Sequence, residues 1–593
     1  MINTARGGPS GELSDSDTQF TRYAKMGAII LGVLLTISAG TAIAKPGNNG
    51  DRGRYVELQV LAINDYHGHL QDTTAGKVEG EDAGGSEYLS TKLKELRAGH
   101  GNSFTVAAGD LIGGSPFFSG FFHDEPSVES LNAMQLDVSG VGNHEFDEGV
   151  DELLRMQYGG CHPVDDCYFP NEPYAGADFP WLAANVVDED GDTPLPPYWI
   201  ANVQGVKVAF IGMTLEATNT LVAASGIEGY TFLDEAETAN SLIPELQQQQ
   251  VEAIIVLLHE GGIPNPVEVD GCSGISGPIL AINDALSPAI DAIITGHTHL
   301  PYNCLLPDPE GMERPVTSAY SFGRVVTEMN LVLNRLTKVF ERGMSTVMNH
   351  AVIQNELVPD PALTAVIDKW APLAEDIGSL EVGMITADIN RGGNPTGSDR
   401  GVESPAGNLV ADAQQWSTSA AGAVVAFMNP GGVRSDLTFA DSSGEGDGVV
   451  TFSEAQTFQP FNNTLYTFPM SGAQIIAVLE EQCQPAGSSR PFLHLGVSEG
   501  FTYDLATTIV AGDCISISVT NVEVNGVPLD ASAEYMVTVN NFLADGGDNF
   551  TTFGTIDPSL RIDGGNDLDA LINYLSSFSP VDPPETDRVN EIP

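Results

Sequence analysis

"VELQVLAINDYHGHL", residues 56–70, decides how the rest of the chain is read. Its first half is a short Val-, Leu- and Ile-rich run of the kind that buried strands use. Its second half ends that strand by presenting Asp65 and His67, one residue apart. Alone, this is either a polar turn closing a strand or half of a metal site. The choice depends on how the other strands end.

They end alike. "FTVAAGD" finishes at Asp110, "VSGVGNHEFD" at Asn143, His144 and Asp147, "AIIVLLHEGG" at His259, and "AIITGHTH" at His297 and His299. The chain has 11 histidines, and five of them stand at these ends. In layered α/β folds the carboxy ends of strands converge on one crevice. Carboxylates, neutral imidazoles and an amide oxygen form a mixed nitrogen–oxygen set. Such a set suits zinc, manganese, iron or cobalt better than magnesium or calcium. The donors exceed what one tetrahedral ion takes, and two ions sharing a carboxylate would use them all.

Between these runs, "SEYLSTKLKELRA" and "PSVESLNAMQL" read as helices, so the first part of the chain is a layered α/β domain. Asp360 and Pro361 then supply an N-cap and a first helical residue, with Pro372 expected to kink or end that helix. A second α/β region follows, with a helix at "GNLVADAQQWST" and strands at "AVVAFMN" and "YMVTVNNFL". The tail "PVDPPETDRVNEIP" is expected to be disordered. The boundaries are 54–350 and 379–578 for the two domains, 351–378 for a helical connector and 579–593 for the tail.

The 593 residues carry 24 Lys and Arg against 80 Asp and Glu, a formal charge of -56. That excess disfavours nucleic-acid duplexes and anionic membranes as partners. An anionic substrate would need bound cations or a few placed arginines. Arg22 and Lys25 precede "MGAIILGVLLTISAGTAIA", and small residues follow at Ala42–Ile43–Ala44. This is the pattern of a secretory signal over residues 1–45, with an uncleaved anchor as the alternative. Periplasmic or extracellular localisation follows. Six cysteines fit an exported chain, and the most economical of the 15 connectivities pairs Cys161 with Cys167, Cys272 with Cys304 and Cys483 with Cys514.

"NDYHGHL", "GDLIGGSP", "GNHEFDEG" and "GHTH", in that order, resemble the calcineurin-like metallophosphatase signature. "ESPAGNLVADA", "NPGGVRSDL" and "NNFLADGGDNF" resemble the carboxy-terminal domain of the 5'-nucleotidase/UDP-sugar hydrolase family. The resemblance implies an amino-terminal α/β/β/α metallophosphatase domain and a carboxy-terminal α/β substrate-binding domain. It implies two divalent cations, zinc, manganese or cobalt. Asp65, His67, Asp110 and His299 would hold one; Asp110 would bridge to a second, completed by Asn143, His259 and His297. His144 and Asp147 would form a catalytic dyad. Arg400 and Arg434 resemble phosphate contacts, Phe461 and Phe542 a pair that sandwiches the base, and Asn429 and Asp548 polar contacts to base and ribose. Three departures stand out: Pro405 replaces an Asn, Asn549 replaces a Gly, and Arg391 could compete with Arg400. His69 reads as a neighbour of the ligands, and His123, His162, His350 and His494 as ordinary.

The expected reaction releases phosphate from nucleoside 5'-monophosphates. Two cations ~3.5–4 Å apart lower the pKa of water toward ~7 and neutralise phosphoryl charge. No Ser or Cys sits in a nucleophile elbow, so no covalent intermediate is expected. The alternatives are UDP-sugar or dinucleotide pyrophosphate hydrolysis, 2',3'-cyclic nucleotide or 3'-nucleotide cleavage, and nucleotide binding without turnover. A nucleotide is the expected partner, and the protein a monomer or simple homodimer.

Overall fold

The opening stretch forms a strand, Tyr55–Ile63, buried on both faces. Val56, Leu58, Val60 and Ala62 enter one core, while Leu61 and Ile63 enter another. That alternation is the strand period of two. In this computed structural model, which describes residues 53–441, 444–486, 488–510 and 512–592, the strand lies inside a six-stranded sheet. Its order is Thr346–Ala351, Val325–Asn334, Tyr55–Ile63, Ser103–Ala108, Val138–Gly140, Trp181–Leu182. A second six-stranded sheet runs Tyr302–Pro307, Glu313–Ser318, Ala292–Thr295, Ala253–His259, Val206–Thr214, Tyr198–Val203.

The two sheets face each other. Val60, Val106 and Val138 of the first share a core with Val208, Ile255 and Ile294 of the second. Helices Ser86–Arg97 and Glu125–Met134 cover the outer face of the first sheet through Leu89, Leu93, Val128 and Leu131. Helices Glu235–Gln248 and Pro278–Ala285 cover the second through Ala239, Leu246 and Ile279. The architecture is α/β/β/α. Each fully buried Val or Leu adds about 1.5–3 kcal/mol of transfer free energy, so this double sandwich is a stiff frame. Strands Tyr55–Ile63, Ser103–Ala108 and Val138–Gly140 pair in parallel, as do Val206–Thr214, Ala253–His259 and Ala292–Thr295. Parallel pairing brings their carboxy ends to one edge, where the polar residues stand.

Helix Pro361–Gly378 starts as expected: the Asp360 side chain accepts from Ala362 N–H at 3.2 Å. It runs through Pro372 to Gly378 and packs Leu363 and Trp370 into the amino-terminal helical layer. Beyond it, a five-stranded sheet has the order Gly496–Val497, Val425–Met428, Glu534–Asn540, Thr464–Ser471, Ile562–Asn566. A four-stranded sheet adds Val527–Pro528, Asp513–Val524, Phe501–Val510 and Val589–Glu591. The whole of Gly53–Pro593 is one compact unit.

The tail is not disordered. Val589–Glu591 pairs in parallel with Phe501–Val510, and Arg588 binds Asp412 at 2.7 and 2.8 Å. Its proline- and acid-rich composition was outweighed by one buried ion pair and a ladder for Val589. The three disulfides are Cys161–Cys167, Cys272–Cys304 and Cys483–Cys514. The signal-like segment, residues 1–45, lies outside the described residues. Among the described residues no helix is long and apolar enough to cross a membrane.

Candidate metal centre and substrate cleft

All seven candidate ligands meet at the shared sheet edge. Asp65, His67, Asp110 and His299 form one group whose ligand atoms lie within 4.8 Å of one another, and Asp110, His259 and His297 form a second. Asp110 belongs to both. Asn143 joins through its Oδ1, 3.1 Å from His297 Nδ1. The backbone explains the convergence. Asp65, His67, Asp110, His297 and His299 all have left-handed φ, between 46° and 70°. Each such residue costs on the order of 1 kcal/mol or more, and clusters of them mark functional sites. The left-handed turn tips the side chain off the strand axis and into the crevice. Close approach of backbone does the rest: a Cβ on Gly142 would lie 2.2 Å from Asp110 Oδ1, so only glycine fits there.

Backbone carbonyls fix how two imidazoles face the centre. His259 Nδ1 donates to Ala108 O at 2.7 Å, and His67 Nδ1 donates to Gly113 O at 2.6 Å. Their Nε2 atoms therefore point inward. His259 Nε2 lies 2.9 Å from Asp110 Oδ2 but off the hydrogen-bond direction. His67 Nε2 faces His299 Nε2 at 3.2 Å, and His299 Nε2 lies 3.1 Å from Asp65 Oδ1. Short contacts between inward lone pairs are what the ligands of a shared cation make, so the donor set fits divalent metals. Burial holds the His67 and His297 imidazoles well below their usual range, in the neutral form a metal needs. Burial works to raise Asp110, but His259, His144 and His67 hold it well below the ordinary carboxylate range.

His144 and Asp147 stand one turn apart, with Nδ1 donating to Asp147 Oδ2 at 2.7 Å. His144 N–H also donates to Asp110 Oδ1 at 2.9 Å, tying the pair to the centre. Burial lowers the His144 imidazole, yet Asp147 and Asp110 raise it by more, leaving it above its ordinary value. Glu145, between them in sequence and given no role in the motif reading, accepts from Asp110 N, Leu111 N and Gly142 N. It clamps the loops that carry Asp110 and Asn143.

A cavity of about 1480 Å³ opens over this edge. Asn143, His144, Asp147 and His297 line its floor, and Arg400, Asn429, Arg434, Phe461, Phe542 and Asp548 line the carboxy-terminal wall. Phe461 lies nearly parallel to His144, with ring centroids 5.9 Å apart, and the Arg434 guanidinium sits 5.8 Å from the Phe461 ring. Asn429 Nδ2 donates to Asp548 Oδ2 at 3.1 Å. Among the described residues, no carboxylate lies within 4.0 Å of the Arg400, Arg434 or Arg490 guanidinium, and none of the three donates a hydrogen bond. Burial pulls the Arg434 guanidinium down to about 10.

Other expectations resolve differently. Arg391 does not compete for the cleft: Asp436 binds it at 3.1 Å, and its Nη1 donates to Arg434 O at 2.6 Å. His69 lies outside both donor groups and stacks on Phe322 at 3.9 Å. His123 and His162 are not ordinary surface residues. Their rings stack at 3.7 Å at the cleft rim, and His123 contacts Glu148 at 2.7 Å and Asp165 at 2.8 Å. Arg490 had no motif to flag it.

Known proteins share this plan. The calcineurin-like phosphoesterase family model matches residues 58–301, and the model of the 5'-nucleotidase C-terminal domain matches residues 377–555. A cell wall protein of Listeria monocytogenes is 33% identical over 88% of this chain and 67% of its own length. An endonuclease of Bacillus subtilis is 31% identical over 88% of this chain but only 40% of its own. The NAD 5'-nucleotidase of Haemophilus influenzae is 26% identical over 93% of this chain and 94% of its own. In fold, the 5'-nucleotidase precursor of Thermus thermophilus superposes with a TM-score of 0.71 at 23% identity, covering 91% of this chain and 99% of that one.

Proposed function

Because this chain belongs to the family that joins a calcineurin-like phosphoesterase domain to a 5'-nucleotidase carboxy-terminal domain, and is thereby a metal-dependent phosphoester hydrolase, we propose that it removes the 5'-phosphate from nucleoside monophosphates. The observation that carries this reading is the cleft: unpaired guanidinium groups and two half-buried phenyl rings line one cavity with the donor cluster. In a chain of charge -56, half-buried guanidiniums with no carboxylate partner among the described residues indicate an anionic ligand.

Asp65, His67, Asp110 and His299 would hold one cation, and Asp110, Asn143, His259 and His297 a second; zinc, manganese and cobalt suit this set. When bound, the two ions supply Lewis acidity that acidifies water and neutralises phosphoryl charge. The chain's own residues do the rest. Arg400 and Arg434 orient the phosphoryl oxygens as planar forks. Phe461 and Phe542 stack on the base, which favours broad base selectivity. Asp548, held by Asn429, faces the sugar. His144 keeps its Nδ1 on Asp147, leaving Nε2 to give a proton to the departing 5' oxygen.

A second reading extends the substrate. The cavity exceeds the ~300–1,000 Å³ usual for small-molecule sites, which favours diphosphates such as UDP-sugars or dinucleotides beside monophosphates. Three disulfides and a cell wall relative support action outside the cytoplasm. Phosphate release from AMP, UDP-glucose and 2',3'-cyclic AMP, with manganese or zinc and with EDTA, tests the assignment. AMP is expected to be hydrolysed in a metal-dependent way; AMP binding without release would make the protein a nucleotide binder.

A further inference from the structure

The third cleft arginine comes from a segment that carries no phosphate motif. Arg490 sits in the loop between Gln484 and Pro491. The loop's base is pinned on three sides. Cys483 and Phe492 form a β-bridge, Gln484 N–H donates to Pro491 O at 3.0 Å, and Cys483 is disulfide-bonded to Cys514. Gln484 then fastens the loop to the wall opposite the donor cluster. Its Nε2 donates to Asp548 O at 3.0 Å, and its Oε1 accepts from Asn549 Nδ2 at 2.9 Å. The guanidinium of Arg490 therefore enters the cavity from an anchored frame.

The three arginines line one cavity with Asn143, His144 and His297. Arg434 feels Asp147 and Asp110, on the side of the His144 pair. Arg490 feels Asp548, Glu260 and Asp65, on the side of His259 and His297. Arg400 feels both of these arginines and Asp548. A third unpaired cation in the same cavity repels the other two, and a ligand offsets that repulsion in proportion to its charge. A phosphomonoester carries two charges near neutral pH, its second pKa being about 6; a phosphodiester carries one.

We propose that Arg490 is a specificity-determining residue that makes this cleft prefer terminal phosphomonoesters over phosphodiesters. The inference rests on the phosphohydrolase reading above and adds the charge state the site selects. Arg490 does not assist departure of the leaving group, so its removal acts on substrate binding.

The test compares 4-nitrophenyl phosphate with bis(4-nitrophenyl) phosphate, which share a leaving group and differ in charge. It uses the full metal-loaded protein, wild type beside Arg490→Gln and Arg490→Lys. In Arg490→Gln, kcat/KM for the monoester is expected to fall about 10- to 100-fold, mainly through KM, with the diester changed by less than about threefold. The inhibition constant of inorganic phosphate is expected to rise in parallel, and Arg490→Lys to recover part of the loss. Equal losses on both esters, or no loss on either, would overturn the proposal. Should Arg490→Gln fold poorly, the Lys variant carries the same comparison. AMP run beside these esters separates the two ideas: a wild type that cleaves 4-nitrophenyl phosphate but not AMP defeats the nucleotidase reading and leaves the ester ratio to decide this one.

Discussion

The floor and the carboxy-terminal wall of the cleft are built on opposite plans. On the floor, polar atoms already lean on one another: Asp65 touches His299, Asp110 touches His259, and Asn143 touches His297. Four of those six side chains, and His67 beside them, sit on left-handed backbone that a stiff double sheet holds in place. On the wall, Arg400, Arg434 and Arg490 reach no carboxylate among the described residues, and Phe461 and Phe542 stay half-buried. The floor is preorganised around cations. The wall presents positive charge and aromatic faces, the complement of an anionic ligand with a ring. Damage to the floor should therefore remove chemistry, and damage to the wall should remove choice.

The hardest blow to that contrast is Asp110→Asn, which breaks the one ligand both donor groups share. Phosphate release is expected to fall by about a thousandfold or more, with metal content reduced by elemental analysis. Full metal content with normal turnover would deny the floor its role. Next is His144→Ala, expected to lower kcat by about 10²- to 10⁴-fold while the metal content stays normal. Arg434→Ala should behave as a wall residue: KM for AMP is expected to rise about 10- to 100-fold with metal content unchanged. A loss of metal instead would erase the distinction. Phe542→Leu sharpens it further. KM for AMP should rise about tenfold while 4-nitrophenyl phosphate, which has no base, is affected less.

The smallest effect belongs to the rim. Burial lowers the His123 imidazole, but Glu148 and Asp165 raise it more strongly, to about 9. Because the folded value lies above the ordinary one, this contact stabilises fully below about pH 6.5 and is lost as pH rises through about 9. Its carboxylate partners are half exposed, so screening leaves about 1 kcal/mol. His123→Gln is expected to lower the thermal midpoint by about 1 °C at pH 6 and by nothing at pH 10, read by calorimetry.

The floor was legible because strand ends announce themselves: a Val- and Ile-rich run stopping at Asp or His locates both the element and its exit. The layered order followed from the same runs. The wall was legible where the family resemblance reaches it, at Arg400, Asn429, Arg434, Phe461, Phe542 and Asp548. Arg490 escaped because its position depends on a bridge between Cys483 and Phe492 and on Gln484 reaching Asp548, contacts that no local pattern encodes. Arg391 misled for the converse reason, since Asp436 occupies it 45 residues away. In the tail, composition pointed to disorder, while Arg588 found Asp412 across 176 residues. Glu145 lay within a recognised motif, yet its work is on backbone amides that only the folded loops bring to it.

The left-handed residues of the floor carry an evolutionary corollary. A chain drifting without selection for turnover would gain by shedding them, since glycine occupies that region of backbone space at no steric cost. His299, a quarter exposed, is the easiest to give up. Relatives with glycine there would be inert scaffolds that melt later than their working ancestor, so hardiness in this fold is a warning sign of lost catalysis.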